Sequence, residues 1–161
     1  MLFFIGRFII VWTLWYILAD KKRWREIFPV SIFAGLLGST TDNLTMHYKL
    51  WEYHSSNGLH PWILKVMDDW GIYMVVVYLF IQWLPENQTW GKMFGYWFIW
   101  TGLAITIEWI HVITNHMDHH LWWTYGHSYI ADWVLFWLFY EFHKKFRLKS
   151  LSNDGVSSRA K

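Results

Sequence analysis

The sequence predicts an all-α fold: an integral membrane helical bundle of five transmembrane helices, with the N-terminus out and the C-terminus in. Three observations predict it. Five apolar runs have about the length needed to cross a ~30 Å hydrocarbon core. Turn and stop signals separate them. Lys and Arg gather at two of the connections instead of spreading along the chain. A mean hydropathy of only +0.15 is no objection, because that index scores Trp, Tyr and His as polar and the chain holds 15 Trp, 9 Tyr and 9 His.

The first run, about residues 2–19, ends in Asp20-Lys21-Lys22-Arg23-Trp24-Arg25. It has no basic stretch before it and no small-residue cleavage site, so it reads as a retained span with a stop-transfer block, not as a signal peptide. Arg7 is expected to snorkel to the near interface. The second span, about 27–48, carries Pro29 in its first turn, where a missing N–H is harmless. Ser31, Gly35 and Ser39 recur every four residues, a small-residue seam for a closely approaching helix. Lys49 to Leu59 reads as a loop with an Asn57-Gly58 turn. The third span, about 61–84, lies between Pro61 and Pro85, the fourth covers about 93–116, and the fifth about 128–143. Residues 150–161 read as a disordered, Ser-rich cytoplasmic tail.

The basic links fix the orientation. Lys21, Lys22, Arg23 and Arg25 follow the first span, and Lys144, Lys145, Arg147 and Lys149 follow the fifth. With five spans both clusters fall on the cytoplasmic side of the plasma membrane. The outer half of the bundle then receives nearly all the remaining ionisable residues, among them Asp42, His47, Asp68, Asp69, Glu108, His111, His119 and Asp132. Trp51, Tyr53, Trp62, Trp122, Trp123 and Tyr125 fit an outer aromatic belt, and Trp24, Trp83 and Trp90 an inner one.

The absence of Cys excludes disulfides, thiolate nucleophiles and Cys-ligated metal centres. A formal charge of +2, clustered at the links, argues against nucleic-acid binding. Five short spans without a repeat argue against a self-contained secondary transporter. What stands out is Glu108 to His120, Glu-Trp-Ile-His-Val-Ile-Thr-Asn-His-Met-Asp-His-His. It starts inside an apolar run, where ionisable side chains are expensive and mark functional sites by default. At ~100° per residue, Glu108, His111, Asn115, Asp118 and His119 share one helical stripe. Glu108-x-x-His111 has the spacing by which one helix offers a carboxylate and an imidazole to a metal, although helix-bundle di-metal sites need a second copy and none is present. His116-x-x-His119-His120 matches one histidine box of the membrane desaturases, whose other two boxes are absent.

The chain resembles a family of small, uncharacterised multi-pass membrane proteins common in endospore-forming Gram-positive bacteria. The resemblance rests on Lys22-x-Trp24 followed by Phe28-Pro29, Asp42 ahead of Leu50-Trp51-Glu52-Tyr53, Glu108, Trp122-Trp123, and a last span closing in His143-Lys144. It implies a plasma-membrane helical bundle and no activity.

Three functional readings follow, the first preferred. In the first, a non-enzymatic membrane protein binds a cation or protons at an outward-facing Asp/Glu/His site, as a sensor or a subunit of a complex. The second is a structural or assembly subunit in which the polar residues are interhelical glue. The third is a metal-dependent intramembrane enzyme acting on a lipid or envelope precursor, with Glu108 or Asp132 as general base. Candidate ligands for a divalent metal ion are Glu108, His111, Asp42, His47, Asp69, Asp132 and His119. The expected partners are membrane lipids and other membrane proteins or further copies of the chain.

Overall fold

The computed structural model describes residues 2–54 and 60–152. The Asn57-Gly58 turn and most of the Ser-rich tail, residues 153–161, lie outside the described residues. The chain is mostly helical: α1 (Leu2–Leu18), α2 (Trp24–Tyr48), α3 (Pro61–Met67), α4 (Met74–Gln82), α5 (Trp90–Ile113) and α6 (Tyr125–Lys145). A π-helical turn, Asp68–Tyr73, joins α3 to α4 into one long segment. The helical segments occupy the five apolar runs. Among the described residues, α5 alone is long and apolar enough to cross a membrane by itself; α1 and α2 pass that test only as a pair, and the chain turns through 93° between them.

The packing follows from composition. In α4, every residue from Met74 to Ile81 except Val76 is buried, as expected of a helix that is apolar on all sides and sits at the centre of a bundle. Residue pairs show how its neighbours run. Arg7 meets Asp68, Trp15 meets Tyr78 and Leu18 meets Gln82, so α1 lies parallel to the third segment. Arg23 meets Gln82 and Ser39 meets Asp69, so α2 lies antiparallel to it. The Ser31/Gly35/Ser39 seam faces this contact: a Cβ on Gly35 would stand 3.2 Å from Met74 Cγ. Helices α5 and α6 pack antiparallel through Trp97 with Tyr140 and Trp100 with Phe136.

At one end of the bundle the break between α1 and α2 is stapled by α4. The Gln82 side chain donates to the Leu18 carbonyl at 2.9 Å and accepts from the Asp20 N–H at 2.7 Å, while the Tyr78 hydroxyl donates to the Asp20 carbonyl. Both basic clusters lie at this end, where Glu26 of α2 accepts from Arg23 and bonds His143 of α6 at 3.0 Å.

The opposite end is closed by a two-stranded antiparallel ribbon, where the sequence suggests only a loop and a helix end. β1 (Trp51–Tyr53) pairs with β2 (Met117–His119) in the register Trp51 with His119, Glu52 with Asp118 and Tyr53 with Met117. Three-residue strands offer no periodicity to read. Lys49 ends α2 at φ 47°, and Asn115, at φ 54°, turns the chain back just past the end of α5. Asp118 and His119 therefore belong to a strand and not to the helical stripe, and their side chains diverge. Asp118 faces out to His54, and His119 turns in to Glu108.

Candidate functional site

Beneath the ribbon lies a cavity of about 210 Å3. Its walls come from α2, the π turn, α4, α5, α6 and both strands, and five carboxylates line it: Asp42, Asp68, Asp69, Glu108 and Asp132. His111 joins them, and no Lys or Arg lines the cavity among the described residues. Residues such as Ile72, Val76, Ala104 and Leu135 supply apolar lining, and Thr41, Tyr73 and Ser128 add hydroxyl groups.

Local structure explains how the acids reach one space. Asp68 and Asp69 are adjacent, yet both line the cavity because the π turn widens the helix at that point, a bulge frequent at functional sites. Asp42 is on the last turns of α2, Glu108 is on α5 one turn before His111, and Asp132 is on the second turn of α6.

Two of the acids have a basic side chain within ion-pair distance. Arg7 Nη2 stands 2.6 Å from Asp68 Oδ1, so Arg7 turns inward and does not snorkel. Tyr53 donates its hydroxyl to Asp68 Oδ2 at 3.0 Å. Burial, and then the Asp68 carboxylate, push the Tyr53 phenol well above its ordinary range, so it stays a donor. His119 Nε2 stands 2.8 Å from Glu108 Oε1.

The other three carboxylates have no ion-pair partner among the described residues. Asp42 Oδ1 accepts from the Trp51 indole at 3.1 Å, while its buried Oδ2 has no partner. Lys65 reaches the Asp42 backbone carbonyl and not its carboxylate. Asp69 accepts from the Ser39 hydroxyl at 2.9 Å. For Asp132 neither a hydrogen bond nor an ion pair is present among the described residues. His111 Nδ1 lies 2.7 Å from the Ile107 carbonyl, which can only accept. In the neutral ring Nδ1 therefore carries the proton, and Nε2 is left as a buried acceptor without a partner among the described residues.

Of the residues singled out in the sequence, the cavity gathers Asp42, Asp69, Glu108, His111 and Asp132, with His119 behind Glu108. His47 is exposed on α2 and does not line it. Trp51, Tyr53 and Trp123, read as belt residues, line the cavity instead, whereas Trp62, Trp122, Trp24, Trp83 and Trp90 are exposed. Arg7, expected at the interface, is instead a partner of the site. Its signal was present, since a Lys or Arg inside an apolar run needs a partner, and Asp68 is the acid that the predicted orientation places at its level.

Among the described residues no group of three His, Asp or Glu side chains stands close enough to hold a metal ion. No family model matches the chain, and neither a curated protein nor a solved structure matches it.

Proposed function

We propose that this is a five-span membrane protein whose cavity, open toward the outer face, binds a cation. The observation that carries the binding reading is an imbalance: five carboxylates line the cavity, Arg7 and His119 stand within ion-pair distance of two of them, and no Lys or Arg lines it among the described residues. A carboxylate at membrane depth must be paired, protonated or solvated, and a cation entering from outside would supply the partner that the chain does not.

The membrane reading rests on the outside of the bundle. Ile10, Ile17, Ile99, Phe98, Ile130 and Trp137 are exposed on helices whose inner faces pack together. An apolar exterior of this extent marks contact with lipid. The basic clusters at the α1–α2 break and after α6 share the end away from the cavity, the arrangement expected when that end is cytoplasmic. A plasma-membrane location and membership of the resembling family are part of the same proposal.

Interhelical glue accounts for some of the polar residues and not for others. Arg7 with Asp68 and Trp51 with Asp42 fix helices and ribbon, but Asp132 and the free edges of Asp42 and His111 hold nothing together. The separation of the donors favours a bound cation over a catalytic metal centre.

The test is thermal stabilisation of the detergent-purified protein by a panel of monovalent, divalent and organic ammonium chlorides, against an Asp42→Asn/Asp69→Asn/Asp132→Asn variant. A cation present at 100 times its Kd stabilises the folded state by about 2.7 kcal/mol. We expect at least one cation to raise the midpoint of the wild type and leave the variant unmoved. Equal response of both proteins to every salt removes the reading.

A further inference from the structure

We propose that the cavity takes an organic amine with one charged end and one apolar end, its ammonium group among the acids near the ribbon and its hydrocarbon part pointing toward the basic end of the bundle. The inference rests on the cation-binding reading and names its ligand class.

On each helical segment that lines the cavity the acids stand on the ribbon side, and the lining ends in apolar residues. Helix α2 runs toward the ribbon, with Leu37 ahead of Asp42, and α5 runs the same way, with Ala104 ahead of Glu108. The π turn with α4, and α6, run away from the ribbon. There Val76 and Val77 follow Asp69, and Leu135 and Phe139 follow Asp132. At ~1.5 Å per residue these apolar positions lie about 4–12 Å beyond the acid of their own segment. All four segments agree in direction, so the polarity of the cavity follows the bundle axis. Phe136, which also lines the cavity, is backed by the buried rings of Phe80 at 4.8 Å and Trp100 at 6.2 Å, centroid to centroid. A small inorganic cation leaves the apolar end unfilled, and a ligand charged at both ends would bury a charge there without a partner.

Toward the ribbon, two side chains more than nine-tenths buried line the cavity with acceptor atoms left over. Asp42 is 7% exposed with Oδ2 unpartnered, and His111 is 3% exposed with Nε2 unpartnered among the described residues. A buried acceptor without a donor is costly, and a primary ammonium group brings three N–H donors. Trp51, whose indole bonds the other oxygen of Asp42, and Trp123, 5.1 Å from it, add aromatic surface at the same end. Such rings favour an organic cation. The volume agrees. An engineered apolar cavity of about 150 Å3 holds benzene. By that scale the 210 Å3 here admits about eight non-hydrogen atoms, enough for hexylammonium.

The experiment is a calorimetric titration of the full chain in detergent at neutral pH, with blank titrations into detergent alone. The probes are methylammonium, butylammonium, hexylammonium and hexanediammonium chlorides, hexanol, calcium chloride and zinc chloride. We expect affinity to rise from methylammonium to hexylammonium by up to about fourfold per buried CH2. Hexylammonium should bind about tenfold or more tighter than either hexanediammonium or hexanol. Asp42→Asn should weaken hexylammonium by about tenfold or more. Ala104→Leu, which takes up room at the apolar end, should remove the advantage of hexylammonium over butylammonium and leave methylammonium unchanged. The comparison among probes on the wild type stands even where a variant fails to fold.

If methylammonium, hexanediammonium or hexanol binds as tightly as hexylammonium, or if only calcium or zinc binds, the amine inference is overturned; the cation reading stands wherever methylammonium or a metal ion still binds. If no cation binds, both are overturned.

Discussion

Gly38 sits on α2 against the acidic wall, and a Cβ placed there would stand 2.7 Å from Asp69 Oδ1. Contact that short forces the carboxylate to move, and with it the bond from Ser39. Overpacking of this kind costs about 1–3 kcal/mol. Gly102 on α5 has open space at the same position, so alanine there carries only the helix-propensity gain. We expect Gly38→Ala to lower the thermal midpoint and weaken cation binding, and Gly102→Ala to do neither; indistinguishable variants would mean that Asp69 is not held against α2. At this scale much of the site was legible, because Asp42, Asp69, Glu108, His111 and Asp132 stand out as ionisable groups in apolar runs. Their pairing was not legible, since Arg7 and Asp68 are far apart in the chain and meet only through α1 lying along the π turn.

The elements are tied at the basic end by Glu26. It is fully buried in the first turn of α2, accepts from Arg23 at 2.7 Å and 2.9 Å, and bonds His143 at 3.0 Å. Burial alone would raise its pKa, but the hydrogen bonds and charges of Arg23 and His143 outweigh that and hold the carboxyl at about 2, against an ordinary value of 4.5. A folded-state value below the unfolded one contributes stability above the unfolded value. That contribution is lost as pH falls from 4.5 through about 2. Wild type should therefore exceed Glu26→Gln in thermal midpoint at neutral pH, with the gap closing across that acid window. A gap unchanged by acid would sink the linkage. Helices were the legible elements, announced by apolar runs, Pro29, Pro85 and the basic links. The ribbon is not legible because strands of three residues have no period, and the π turn is not because one extra residue in a helical turn leaves no mark in an apolar pattern.

The whole molecule offers a direct test of its orientation, since it contains no cysteine and any introduced thiol is unique. Glu52 is exposed on the ribbon and Lys149 on the turn after α6, at opposite ends of the bundle. In intact cells a membrane-impermeant maleimide should label Glu52→Cys at once and Lys149→Cys only after permeabilisation. The reverse pattern would turn the protein over and place the cavity toward the cytoplasm; labelling of both in intact cells would end the five-span reading. By itself the sequence determined where the helices lie and that the ionisable residues inside the apolar runs gather toward the end away from the basic links. Those properties depend on local hydrogen bonding, on run length and on charge at the links, all of which are written in neighbouring residues. Only the tertiary structure decided which acids keep a partner. Arg7 takes Asp68 and His119 takes Glu108, leaving Asp42, Asp69 and Asp132 without an ion-pair partner among the described residues. Such pairings depend on how helices cross and where a turn widens, and those are settled by packing between segments far apart in the chain.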